Sequence, residues 1–221
     1  MIMFTTSEEN YLKAIYNLQQ EEDSGVSTSS LAEILNTKAA SVTEMVKKLA
    51  DKKLVHYKKY YGAELTNTGM KQALTVVRKH RLWETFLVQH LGFQWDEVHE
   101  VAEQLEHIKS EQLIEAIDKL LGYPTQDPHG DPIPDKNGNL KHKNQQLLSD
   151  MEIGSTGIIV GVKDSSPTFL QYLDKEKITL GTAYKLYSKE EFDHALELEI
   201  NGKPLRVSHK IASNLFVEEK S

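Results

Sequence analysis

A change of hydrophobic period near residue 123 constrains this chain of 221 residues more than any other feature. Up to Leu121 the apolar residues recur at helical spacing; from Met151 onward they fall in short runs punctuated by glycine. The stretch between them holds Pro124, Pro128, Pro132, Pro134, Gly130 and Gly138 among polar residues, and reads as a linker over residues 124–150. The expectation is a mainly α chain with a β C-terminal domain. Its length suits two or three compact domains.

Residues 7–22 predict a first helix, with Ser7 as its cap and Glu21–Gly25 as its end. Ser27–Ser30 offer capping hydroxyls to a short helix through Leu31, Ala32, Ile34 and Leu35. After the turn Asn36-Thr37-Lys38, a second helix runs from Ala39 to Lys52 and buries Val42, Met45, Val46 and Leu49. Leu54–Lys58 and Ala63–Thr66 can pair around Tyr60-Tyr61-Gly62. Helix, turn, helix and basic hairpin in that order predict a winged helix-turn-helix over residues 1–70. Residues 71–123 predict three more helices, to Leu91, from Asp96 to His107, and from Ser110 to Leu121. They carry more apolar surface than a monomer needs, which predicts a dimer interface. Residues 151–221, with about five short strands and the hairpin turn Asn201-Gly202, predict a small SH3-like barrel.

The net charge of −7 argues weakly against nucleic-acid binding by the whole chain, but its distribution argues for it locally. Residues 1–81 carry 12 Lys and Arg against 9 Asp and Glu, whereas the remainder carries 14 against 24. The basic excess concentrates in Lys38, Lys47, Lys48, Lys52, Lys53, Lys58 and Lys59. There is no cysteine, so neither disulfide nor thiolate ligand is available. With no apolar run of transmembrane length and no leader-like start at Met1–Asn10, a soluble cytoplasmic protein is expected.

His80 and Glu84 are one turn apart on one helix face. His99, Glu103, Glu106 and His107 form a second stripe, opposite the apolar Val98, Val101, Ala102 and Leu105. Two helices that each present imidazole and carboxylate can hold one or two divalent ions. Nitrogen and oxygen donors without sulfur suit Mn²⁺ or Fe²⁺, and Zn²⁺, Co²⁺ or Ni²⁺ would also bind in vitro. The plainer alternative is a solvated helix face. His56, His90, His129, His142, His194 and His209 read as surface or core residues.

Several motifs resemble the diphtheria toxin repressor family of metalloregulators. They are Val77-Arg78-Lys79-His80-Arg81-Leu82 with Glu84, Val98-His99-Glu100 with Glu106-His107, the linker Pro128-His129-Gly130-Asp131-Pro132-Ile133-Pro134, and the opening Glu9–Tyr16. The resemblance spans the chain and implies a homodimeric DNA-binding repressor of metal homeostasis with a terminal SH3-like (FeoA-like) domain. It implies a primary site of Asn10, Glu103, Glu106 and His107, an ancillary site of His80, Glu84 and His99, and Asp164 as a ligand from the third domain. Glu103 stands where iron-responsive members place cysteine and manganese-responsive members glutamate, which favours Mn²⁺. Two positions depart from the pattern. Asn10 is neutral where members place methionine or aspartate, and Lys13 replaces a glutamate of members that bind a manganese pair. The second departure implies two separate sites rather than an ion pair.

In a winged helix-turn-helix the helix from Ala39 enters the major groove of a palindromic operator. Ser41, Thr43 and Glu44 then lie near base edges, and Lys38, Lys47 and Lys48 near phosphates. Lys58, Lys59, Tyr60 and Tyr61 form the wing, although the two tyrosines could instead pack on its base. Two other functional classes fit the same residues: a metal-dependent enzyme with a His/carboxylate site, and a winged-helix regulator with an organic effector. No HExxH, Ser or Cys nucleophile setting, or Glu-x-x-His repeat supports the enzyme.

Overall fold

A computed structural model describes residues 4–20, 25–141 and 145–220. His142 and most of Glu21–Gly25, the expected end of the first helix, lie outside those residues. The chain divides into two compact units. One comprises Met1–Trp83, Glu103–Ala116 and Pro134–Leu140; the other comprises Glu84–Ala102, Ile117–Ile133 and Lys141–Ser221.

The first unit opens with α1 (Thr6–Gln19). It starts one residue before the expected Ser7 because Thr5 caps it: Glu8 N donates to Thr5 Oγ1, and Thr5 N donates to Glu8 Oε2. This reciprocal pair satisfies two of the donors that a helix start leaves open. In α2 (Thr28–Ile34) the cap is Ser27, which accepts from Ser30 N. α3 (Ala39–Asp51) buries Val42, Val46 and Leu49, spaced to form one stripe. These pack with Leu12 and Ile15 of α1, Leu31 of α2, Val55 and Ala63 of the hairpin, and Leu74 and Val77 of α4 (Asn67–Leu91). Each fully buried aliphatic side chain contributes ~1.5–3 kcal/mol.

The hairpin pairs β1 (Val55–Lys58) with β2 (Gly62–Leu65), Val55 opposite Leu65 and Lys58 opposite Gly62. It is tied to the segment before α2 by two backbone bonds between Val26 and Ala63. Gly62 is required there: its φ is +92°, and a Cβ would lie 2.5 Å from Gly25 O. α5 (Val98–Leu105) ends two residues before the expected His107, and α6 (Glu111–Leu120) follows.

The second unit is built on a six-stranded antiparallel sheet in the order β3-β8-β4-β5-β6-β7. Its strands are β3 (Gln146–Leu147), β4 (Thr156–Val162), β5 (Ala183–Lys189), β6 (Leu196–Ile200), β7 (Lys203–Val207) and β8 (Leu215–Glu219). α7 (Pro167–Lys175) and the short α8 (His209–Ala212) cover its core, where Ile159, Leu170, Leu173, Leu186, Leu196 and Leu215 are buried. Asn201 and Gly202 both take positive φ between β6 and β7, as the sequence predicts. The part of the proline-rich segment that holds Pro124, Pro128 and Pro132 belongs to this unit. Gly130 approaches β4 so closely that a Cβ would lie 2.3 Å from Val160 O, and His129 O accepts from Val162 N. Among the described residues no helix is long and apolar enough to cross a membrane.

Candidate metal centre and nucleic-acid interface

In the first unit, α1 faces the residues that end α5. Glu106 is fully buried, and its Oε2 accepts from His80 Nδ1 and from Lys13 Nζ, both at 2.7 Å. Lys13 Nζ also donates to Glu103 Oε1 at 2.5 Å. Two carboxylates thus converge on one ammonium group. His107 Nδ1 lies 2.7 Å from Glu9 Oε2, and Glu9 Oε1 accepts from Lys109. A carboxylate only accepts, so Nδ1 of His107 carries the proton when the ring is neutral, and the Nε2 lone pair is left for another partner. That Nε2 lies 3.7 Å from Glu106 Oε1. Burial pushes the Lys79 ammonium below its usual pKa, against the opposing pull of Glu9 and Glu106.

Two oxygen atoms in this region are buried and have no hydrogen-bond partner, Oε1 of Glu106 and Oδ1 of Asn10. Such acceptors are uncommon in folded proteins. With the imidazoles of His80 and His107 beside it, Glu106 fits a divalent cation that prefers oxygen and nitrogen. Glu9, not Asn10, is the α1 residue that reaches His107. Asn10 lines an open cleft of about 490 Å³ together with Ser7, Thr37, Ser41, Glu44 and Lys48. Neither Glu9 nor Lys13 was singled out as a site residue by helical spacing, although the two are one turn apart on α1.

In the second unit, Glu84 is buried between two imidazoles. Its Oε1 lies 3.5 Å from His99 Nδ1, and its Oε2 lies 3.6 Å from His129 Nδ1. Glu84, Asp127 and His129 are all buried and bring one ligand atom each within 4.8 Å of the others. His129 Nε2 lies 2.8 Å from Trp95 O; a carbonyl only accepts, so Nε2 donates and Nδ1 points to the carboxylates. Burial alone would lower the His129 pKa, but Glu84, Asp127 and the Trp95 carbonyl together raise it to about 9. Asp127 is fixed in turn by accepting from the backbone N of His129 and of Asp131. By spacing alone His129 is a surface or core residue, and Asp127 carries no ligand pattern. The available signal was a histidine and two aspartates packed among prolines. Asp164 is half-buried and accepts from Ser166 N, and it is not part of the group of Glu84, Asp127 and His129.

The residues expected at DNA lie on and beside α3 and on the β1–β2 hairpin. Lys38, Ser41, Glu44 and Lys47 are exposed on α3. Thr43 is half-buried and donates to Ala39 O. Lys48 lies 3.0 Å from Glu8 Oε1, which also accepts from Lys52 at 2.6 Å. In the wing, Tyr60 and Tyr61 are exposed rather than packed on its base; Lys59 lies over the Tyr60 ring and Lys58 over the Tyr61 ring.

Comparison with known proteins gives a consistent result. Residues 3–63 match the iron-dependent repressor N-terminal DNA-binding domain, residues 66–135 its metal-binding and dimerisation domain, and residues 146–219 the FeoA domain. The structure of a manganese-dependent transcriptional repressor in complex with manganese superposes with a TM-score of 0.88 at 36% identity, covering 96% of this chain and 100% of that one. The chain belongs to the diphtheria toxin repressor family. Other members of the family with similar structures are the manganese regulator SloR, at 35% identity with a TM-score of 0.77, and ScaR with bound Zn²⁺, at 34% with 0.79. SloR covers 98% of this chain and 100% of its own, ScaR 96% and 99%. Among curated family members, the iron-dependent repressor IdeR of Mycobacterium leprae is 38% identical over 128 residues, 57% of this chain and 54% of that protein. The diphtheria toxin repressor of Corynebacterium efficiens is 33% identical over 128 residues, 57% and 54% of the two lengths. The chain thus spans about half the length of the curated relatives it matches. The manganese-dependent protein, IdeR and the diphtheria toxin repressor are named as repressors.

Proposed function

We propose that this family member is a metal-activated transcriptional repressor that binds double-stranded DNA as a homodimer and controls metal-ion homeostasis. One observation carries the reading: consecutive residues of α1 hold the two functional parts of the first unit. Glu8 grips Lys48 and Lys52 at the end of α3, and Glu9 grips His107 beside the buried carboxylates. A change at the carboxylates is felt by α1 and passed to the helix that meets DNA. Coupling of this kind amounts to ~1–3 kcal/mol.

Glu103, Glu106 and His107 would hold the regulatory ion, with Asn10 and Glu9 supplying oxygen from α1. When bound, the ion supplies a positive charge that draws α1 and the end of α5 to one centre. The supporting site is assigned to Glu84, Asp127 and His129, with His99 and Asp164 as the further ligands expected from sequence; His80, expected with them, lies against Glu106 in the first unit and is assigned there. Mn²⁺ is preferred over Fe²⁺, because the chain offers carboxylate where a thiolate would favour the softer ion.

On the DNA side, Ser41, Thr43 and Glu44 are assigned to base edges. Lys38, Lys47, Lys48, Lys58, Lys59 and Tyr60 are assigned to the backbone. Leu113, Leu120 and Tyr123, exposed on and after α6, supply apolar surface for a second copy and thus for a palindromic operator. The test begins with selection from a random DNA duplex pool in Mn²⁺. Binding of the selected duplex is then followed anaerobically against free Mn²⁺ and Fe²⁺. Metal-dependent binding that is lost in Glu103→Ala and His107→Ala is expected, and selected sequences should be two-fold symmetric. Full metal-dependent binding in both variants would refute the site assignment, and binding indifferent to metal would refute the reading as a whole.

A further inference from the structure

Lys13 is buried on α1 and donates to both Glu103 and Glu106, the carboxylates assigned above to the regulatory ion. An ammonium group 2.5 Å from one carboxylate oxygen and 2.7 Å from the other stands where a cation bridging them would stand. Acidic and basic groups already oppose one another around it. Glu9, Glu103 and Glu106 are the carboxylates of the cluster, and Lys13, Lys79 and Lys109 are its ammonium groups. Adding a divalent ion while Lys13 stays between Glu103 and Glu106 would set a second positive charge against the same two carboxylates, one of them fully buried, which is unfavourable. Lys79 is buried on α4, and Lys109 pairs with Glu9 rather than with the two carboxylates. Lys13 is the group whose departure frees them.

We propose that Lys13 is a tethered competitor for the regulatory ion: it neutralises Glu103 and Glu106 in the metal-free protein and must swing out for Mn²⁺ to enter. The inference rests on the metal-sensing reading above and adds a set point to it. The free-metal concentration at which the protein responds is fixed partly by how firmly the lysine holds the carboxylate pair. If Lys13 occupies the pair about nine-tenths of the time or more, the apparent dissociation constant is raised roughly tenfold or more over that of the bare carboxylates. The same side chain places a positive charge between Glu103 and Glu106 in the absence of metal. It thereby spares the metal-free fold the repulsion that an all-carboxylate site would carry.

The experiment is calorimetric titration of Mn²⁺ into the full chain, wild type against Lys13→Met and Lys13→Arg, with thermal melts of each in chelator and in saturating Mn²⁺. Lys13→Met is expected to bind Mn²⁺ about tenfold more tightly than wild type. It should melt lower in chelator, and the gap should close with Mn²⁺. Lys13→Arg keeps the charge and should bind no more tightly than wild type. Should Lys13→Met not fold in chelator, amine-reactive footprinting of the wild type still decides, because Lys13 should become reactive when Mn²⁺ is added. Unchanged or weaker Mn²⁺ affinity in Lys13→Met, equal tightening in Lys13→Arg, or a Lys13 equally protected with and without Mn²⁺ would each overturn the proposal. A wild-type protein with no Mn²⁺ heat sensitive to Glu106→Gln would overturn the metal reading itself. A heat present in wild type and unchanged in Lys13→Met sinks only the competition.

Discussion

Replacing Glu8 by glutamine isolates the charge that joins α1 to α3. The side chain is fully buried, with Lys52 Nζ at 2.6 Å and Lys48 Nζ at 3.0 Å from Oε1. Burial pushes its carboxyl up, but Lys52, Lys48 and the Thr5 backbone N–H outweigh burial and hold the pKa at about 2, against an ordinary 4.5. Linkage converts that difference to roughly 3 kcal/mol of stability at neutral pH. The lysine side chains remain 52% and 35% exposed, and solvent screening reduces the expected loss in Glu8→Gln to about 2 kcal/mol. Glutamine still serves in the capping box, so helix initiation is not altered at the same time. In a chain of this size the loss lowers the melting temperature by about 4–8 °C. The sign with pH follows from the depressed value. The contribution is complete above about pH 4.5 and is lost as pH falls toward 2, with more than half gone by about pH 3. Chemical denaturation of metal-free wild type and variant at pH 7, 5 and 3 measures it. A gap below about 0.5 kcal/mol at pH 7, or one that stays constant down to pH 3, would refute the account of Glu8 as a charged clasp.

Three further outcomes are expected. Gly69→Ala places a Cβ 1.9 Å from Leu54 O, a backbone atom that cannot turn aside, and should destabilise the first unit by about 3 kcal/mol in a thermal melt. Lys47→Ala should flatten the dependence of log K on log salt by about one unit for any bound duplex, because it removes one phosphate contact; an unchanged slope would place Lys47 away from the DNA backbone. His129→Ala should lower the Mn²⁺ bound at equilibrium dialysis by about one ion per chain while leaving the site at Glu103 and Glu106 filled. Loss of both ions would show that the two sites are not independent.

Much of the architecture was legible because it is local. The stripe Val42, Val46, Leu49, the turn at Asn201-Gly202 and the order of helix, turn, helix and hairpin are all written within a few residues of one another. The start of α1 was local too, in Thr5 and Glu8, but the nearer Ser7 competes with the same signal. The sites were legible only by half. Spacing puts Glu103, Glu106 and His107 on one side of a helix end, but it says nothing about partners some 90 residues away. Lys13 and Glu9 therefore could not be found from periodicity, and their pairing with the carboxylates is decided by tertiary packing. Asp127 and His129 were hidden for another reason. Prolines and glycines usually mark loose chain, but here Gly130 is pressed against β4, and the histidine beside it is buried.

The adjacency of Glu8 and Glu9 also limits how this protein can change over generations. One peptide bond separates the residue that holds the end of α3 from the one that holds His107, the two parts assigned above to DNA and to metal. A substitution in this turn that retunes metal preference disturbs the DNA-binding fold as well, so the two properties are inherited as one trait. Adaptation to a different ion is cheapest at positions outside these two contacts, and residue 13, one turn further along α1 and against Glu103 and Glu106, is such a position.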